Sequence, residues 1–260
     1  PLTKGLNLFA MQNVLYGGQS PAGVPFTTTV GSAVISPTAV AFTAPGPSGS
    51  FQVGLTASLD LDGLAAQAYG LSAPEVHRDA VGQASPAGSL SDPNGNKTYP
   101  VTVRNSALLD IDLQPNGSFT GYDLDLYLQV RNPSGLWVTL TQSASASAHE
   151  HIAMPMPAAG EYRVLVNGYS VPPGATYTLT ILNVDGADLQ VSGVTADPLP
   201  AGAATRFTVR YNANFIGTRQ GIIYFGPKDA PTTFRVPVTI TATRAYLFMP
   251  LLQTTVGPSP

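Results

Sequence analysis

Apolar and polar residues alternate along this chain with a period of two, and the alternation returns each time a turn has interrupted it. Phe51, Val53, Leu55, Ala57, Leu59 and Leu61 are interleaved with Gln52, Gly54, Thr56, Ser58 and Asp60. A period of two belongs to an extended strand with one face in a core and the other in water. The same alternation marks Tyr99-Val101-Val103, Leu109-Ile111-Leu113, Leu124-Leu126-Leu128-Val130 and Tyr162-Val164-Val166. It continues through Tyr177-Leu179-Ile181, Phe207-Val209-Tyr211 and Phe234-Val236-Val238-Ile240. The best helical candidate, Leu64 to Tyr69, is too short to alter the class. Turn chemistry falls between the runs, at Asp92-Pro93-Asn94-Gly95-Asn96, Asn132-Pro133-Ser134-Gly135 and Val171-Pro172-Pro173-Gly174. There proline presets one dihedral and glycine accepts a positive φ. The expected fold is all-β, built as tandem small β-sandwiches.

Composition supports this and removes several function classes. The 26 Gly and 24 Pro are spread along 260 residues as strand punctuation rather than gathered in one linker. Charged residues are 10% and the net charge is −3, with no Lys/Arg run to meet a phosphate backbone, so nucleic acid is not an expected partner. Cysteine is absent, which excludes disulfides and thiolate metal sites. No apolar stretch approaches the roughly 20 residues that span a bilayer as a helix. The chain opens at Pro1 without an apolar leader, so it reads as a piece of something longer.

Composition thins into linker-like stretches near Ser72–Gly88 and Asn183–Asp188. These divide the chain into modules 1–75, 76–185 and 186–244, with a tail at 245–260. The flanking segments are short for independent sandwiches. They could each form a minimal module or share a sheet, and the tendency of consecutive elements to pack as neighbours favours separate modules.

No catalytic constellation is visible. A nucleophilic serine needs a sharp turn such as G-x-S-x-G and a histidine within reach, and that motif does not occur. The only histidines are His77, His149 and His151. His149 and His151 flank Glu150 and project to one face of an extended segment, an arrangement able to grip zinc if a third ligand were near. None is indicated by the sequence, and a polar strand face is the favoured reading. Three acid pairs share a spacing of two: Asp60/Asp62, Asp110/Asp112 and Asp123/Asp125. Calcium favours clustered carboxylates, yet Ser58–Gly63 lacks the terminal acid of a calcium loop, so water-facing aspartates on half-buried strands are expected. Paired carboxylates alone do not make a glycosidase. Trp137, the single tryptophan, could lie in the core, on an edge or on a sugar-stacking platform, and the core reading is favoured. Asn96-Lys97-Thr98 and Asn116-Gly117-Ser118 are glycosylation sequons by pattern. No catalytic or cofactor-binding residue is assigned, metal ligands are left open, and no cofactor is expected apart from the open question of calcium.

Residues 99–181 resemble the pre-peptidase C-terminal modules of secreted bacterial peptidases. The carrying blocks are Asp123-Leu124-Asp125-Leu126-Tyr127-Leu128, Asn132-Pro133-Ser134-Gly135, Glu150-His151-Ile152, Pro157-Ala158-Ala159-Gly160-Glu161-Tyr162-Arg163-Val164 and Tyr177-Thr178-Leu179-Thr180. Ile35 to Gly46 with Ser50-Phe51-Gln52-Val53 resembles the fibronectin type III-like domain behind subtilisin-like catalytic domains. Asp92 to Tyr99 resembles the entry to the next module, and 186–244, with Gly217 to Gly226, a terminal fibronectin-like module. The resemblance implies Ig/fibronectin-like sandwiches flanking a jelly-roll-like one. It also implies a non-catalytic accessory region of a secreted or cell-surface bacterial subtilisin-like serine peptidase. The catalytic blocks "GTSMA" and "HGT" are absent here, so the peptidase domain is expected upstream of Pro1, with protein or polysaccharide substrate as a further partner. An adhesion or carbohydrate-binding array is the alternative expectation, and a small hydrolase on a sandwich fold a third.

Overall fold

The computed structural model describes residues 33–117 and 120–243. Sixteen strands and no helix make up these residues, so the all-β class holds. In chain order the strands are β1 Ala33–Ser36, β2 Val40–Thr43, β3 Ser48–Ala57, β4 Leu64–Ser72, β5 Glu75–Asp79, β6 Asn96–Val103, β7 Leu108–Asn116 and β8 Asp123–Arg131. They continue as β9 Trp137–Ser143, β10 Glu150–Pro155, β11 Gly160–Ser170, β12 Thr176–Val184, β13 Leu189–Ser192, β14 Ala204–Asn212, β15 Gly217–Pro227 and β16 Phe234–Ala242. Segment 64–69, expected as a short helix if anything, is strand β4, because pairing with β15 outweighs its alanine content.

Four sheets of four strands make two sandwiches. The central one packs β10-β7-β12-β5 against β6-β11-β8-β9, around a core that includes Leu109, Ile111, Leu124, Leu126, Val164 and Tyr177. The other packs β1-β3-β14-β13 against β2-β16-β15-β4, around Val53, Leu55, Phe207, Ile223, Phe225 and Val238. Its strands come from both ends of the described chain. β3 pairs with β14 from Ser48↔Asn212 to Thr56↔Ala204, and β4 pairs with β15.

This corrects the division into three modules. The stretches 1–75 and 186–244 do not fold as separate sandwiches in the residues described. They interleave as one, and the central sandwich is inserted between them. The reason is surface: β1, β2 and β13 have four residues each. Neither flank alone carries enough apolar strand to cover both faces of a core. The expected tail at 245–260 lies outside the described residues, as does the start of the first segment.

The chain crosses between sandwiches twice, at 72–75 and 184–189, and the crossings are tied together. Gly70 N donates to Gly186 O at 2.8 Å, and Asp185 N donates to Ser72 Oγ at 3.1 Å. Glycine is required here. Gly70 has φ +106°, and a Cβ on it would lie 2.5 Å from Gly221 Cα. Beside the crossings, Ile222 and Tyr224 on the outer face of β15 meet Leu182, Val184 and Ala107 of the inserted sandwich. Tyr224 Oη donates to Ala107 O at 3.1 Å, so the phenol is not left unsatisfied in this apolar contact.

Two outcomes are expected. Residues 75–184 expressed alone unfold cooperatively, whereas 33–72 alone shows no amide-exchange protection until 189–243 is supplied. Gly70→Ala destabilises the whole chain by about 1–3 kcal/mol from backbone strain alone, measured by denaturant titration.

Candidate functional site

Among the described residues the chemistry-bearing side chains lie in separate places, and in none of them is a serine hydroxyl hydrogen-bonded to an imidazole. The acid pair Asp60/Asp62 is not on a strand. β3 ends at Ala57, Leu59 is 57% exposed, and Asp60 Oδ1 accepts a hydrogen bond from Ala201 N at 2.9 Å. Asp60 therefore ties the chain after β3 to the turn that leads into β14, and the pair forms no strand ladder.

Asp123 and Asp125 lie on β8 opposite the core leucines, as the alternation requires, but Asp125 is buried and Asp123 half-buried. Asp125 is 7% exposed and accepts from Tyr127 Oη at 3.2 Å, while Asp123 Oδ1 is buried without a hydrogen-bond partner. The chain after β9 folds back along β8, with Leu124 N reaching Ser147 O, and brings Glu150 near both acids. Glu150 is itself buried and bound by Ser143 Oγ, Ser145 Oγ and Ser145 N. Burial first, then repulsion by neighbouring carboxylates, raises the pKa of Asp125, and burial with Glu150 does the same for Asp123. The expectation of water-facing carboxylates is corrected for Asp125 and holds in part for Asp123: the leucine face is right, and tertiary cover takes much of the other side from water.

A second polar group closes one side of the central sandwich. Tyr99 Oη and Tyr177 Oη lie 2.8 Å apart, and Tyr99 Oη donates to Asp79 Oδ2 at 3.2 Å, with Lys97 on the same carboxylate. Burial pushes the Tyr99 phenol up to about 12. At Asp79, burial is more than offset by Lys97, the Ala80 N–H and Tyr99, so its pKa falls. His77 stacks on Tyr99 with ring centroids 4.4 Å apart, and its Nε2 stands 2.9 Å from Glu75, at ion-pair distance without hydrogen-bond alignment. These contacts fasten the edge strands β5 and β6 to each other.

Trp137 corrects another expectation. It lies outside the core, on the outer face of edge strand β9, paired with Arg131. The Arg163 guanidinium sits 4.6 Å over its ring, and Arg163 Nε donates to Gln129 Oε1 at 2.7 Å. One ring face is thus taken by a cation rather than offered to a sugar. The Asn96 sequon is also committed: its Nδ2 donates to Ser89 O and Asp92 O, both at 2.7 Å. Asn116 accepts from Thr178 Oγ1, and the third residue of its sequon, Ser118, lies outside the described residues.

On the outer face of the β10–β7 pair, His149 and Asp112 meet, as do His151 and Asp110, at 3.2 and 3.1 Å. As the side chains stand, no three of His, Asp and Glu among the described residues are gathered tightly enough to hold an ion. Among the described residues, no serine hydroxyl is hydrogen-bonded to an imidazole. An open groove of about 480 Å³ runs beside the crossings, lined in part by Ser72, Glu75, Asn183, Asp185, Asp188 and Arg219. Its serine hydroxyl, Ser72 Oγ, is held by Asp185.

No family model matches the chain, and no curated protein matches it. Solved structures give slight likenesses. The ASH/PapD-like domain 7 of human CEP192 is 9% identical, with a TM-score of 0.27 over 83% of this chain and 87% of that one. Tripeptidyl peptidase 2 is 10% identical, with a TM-score of 0.31 over 84% of this chain and 21% of that one. A red sea bream transglutaminase is 9% identical, with a TM-score of 0.16 over 90% of this chain and 33% of that one. At such scores none of them bears on fold or function.

The buried acids lead to a signed expectation. A carboxyl whose folded pKa is raised binds protons more readily folded than unfolded. It therefore weakens the fold as pH rises above about 4, the unfolded aspartate value. Asp125→Asn keeps an acceptor for Tyr127 and removes that loss. Its melting temperature is expected above wild type at pH 7, with the gain shrinking toward zero near pH 3.

Proposed function

We propose that this chain is a non-catalytic accessory region of a secreted or cell-surface bacterial subtilisin-like serine peptidase, where it spaces and orients the catalytic domain. The observation that carries the reading is the double crossing with its apolar seam. Tyr69, Ile222 and Tyr224 of one sandwich pack on Leu182, Val184 and Ala107 of the other. Two sandwiches joined by two strands of chain, with glycine backbones in contact, resist bending where a single linker would swing. A spacer that sets a distance needs that stiffness; a tether does not.

The order of motifs supports the same reading. The acidic strand, the Asn132–Gly135 turn and the Gly160-Glu161-Tyr162 return fall on β8, the β8–β9 connection and β11, neighbours in one sheet. The groups that peptide hydrolysis needs are spread apart: His77, His149 and His151 each face a carboxylate. The purified chain is expected to hydrolyse neither casein nor an activated ester. Turnover that survives repurification and is lost on replacing one serine would overturn the non-catalytic reading. For the spacing role, fusing the chain to a subtilisin-like domain should lengthen its half-life at elevated temperature. Its hydrolysis of a small peptide should stay within about twofold, since nothing here contacts the reacting atoms.

A further inference from the structure

The sequence places His149 and His151 on one strand face without a third ligand, and β7 supplies the missing chemistry from across the sheet. β10 is the edge strand of its sheet, and its register with β7 sets His151 directly opposite Asp112. His149 Nε2 lies 3.2 Å from Asp112 Oδ1, and His151 Nε2 lies 3.1 Å from Asp110 Oδ1. Ligand atoms bound about 2.0 Å from a tetrahedral zinc ion are about 3.3 Å from one another. Each imidazole–carboxylate pair thus already stands near the separation of two neighbouring ligands.

Gln114 adds an independent sign. Its Nε2 lies 2.8 Å from His149 Nε2 and 2.9 and 3.2 Å from the two Asp112 oxygens. The Gln114 amide thus stands against an imidazole nitrogen and a carboxylate that are themselves neighbours, and both of those groups are of ligand type. The amide occupies the space that an ion held by these two groups would take. Gln114 is on the exposed face and can swing aside, and His151, opposite Asp112, can turn from Asp110 into the same space. The histidine side chains are 55% and 49% exposed, and Asp112 34%, so an ion reaches them from solvent.

We propose that His149, His151 and Asp112 form a surface site for a divalent transition cation of zinc-like preference, with solvent as the remaining ligand and Gln114 displaced. Imidazole ligands select against calcium and magnesium, which favour all-oxygen shells. A bound ion ties the free edge strand β10 to β7.

Calorimetric titration of the full, chelator-cleared chain with zinc chloride tests this. One ion per chain is expected, with no competition from calcium. His149→Ala and His151→Ala should each weaken binding about tenfold or more, a direct ligand counting for at least as much as an outer-shell partner. Gln114→Ala should bind as tightly as wild type or tighter, and His77→Ala should match wild type. Proton NMR of the wild-type chain gives a second reading that needs no variant: zinc should move the ring signals of His149 and His151 and leave those of His77. Absence of saturable uptake below about 1 mM, uptake unchanged in the His149→Ala/His151→Ala double variant, or unmoved ring signals would each overturn the site.

Discussion

Strand β15 is buried on both faces, and the rest of the architecture depends on that. Ile223 and Phe225 point into the outer sandwich and complete its core, while Ile222 and Tyr224 point the other way onto the inserted sandwich. Between Gly221 and Gly226 every residue is buried. A strand with water on one side alternates; one enclosed on both sides is continuously apolar. The run Gly221-Ile222-Ile223-Tyr224-Phe225-Gly226 has that character, and its flanking glycines admit backbones that a side chain would exclude. A Cβ on Gly221 would lie 2.6 Å from Tyr69 O, and one on Gly226 2.3 Å from Ala230 O.

From this seam follows the mechanical character of the chain. The inserted sandwich is entered and left at one corner, where Gly70, Gly186 and Gly221 bring three backbones together. Movement between the sandwiches would have to separate Tyr224 from Ala107 and strip the apolar contact around it, exposing surface that favours staying buried by roughly 25 cal/mol per Å². The arrangement suits a part whose use lies in holding its neighbours at a set distance.

Three acid pairs with the same spacing meet three fates, and the differences come from neighbours distant in sequence. Asp110 and Asp112 stay on an open sheet face, where they meet only exposed side chains, His149, His151 and Gln114, among the described contacts. Asp123 and Asp125 occupy the equivalent face of the opposite sheet, yet the segment that leads into Glu150 buries Asp125 and half-covers Asp123. Asp60 and Asp62 leave the strand altogether. Trp137 obeys the same logic: its position in an edge strand, one residue from Val138, places it outward once β9 pairs with β8.

Alternation is a local property, so the strands from Tyr99 to Ile181, their turns and their inward leucines and valines could be read directly. The connection of the flanks could not, because β3 and β14 are joined by hydrogen bonds across more than a hundred and forty residues, such as Thr56 to Ala204. No nearest-neighbour pattern encodes which of two half-sandwiches will complete the other. One clue was present in the unbroken apolar run of β15, which signals burial on both faces without naming what lies on the second. The meetings of His149 with Asp112 and of His151 with Asp110 were hidden for the same reason. The spacing of the histidines puts them on one face, but only the register between β10 and β7 brings a carboxylate from nearly forty residues away to 3.2 Å from an imidazole nitrogen.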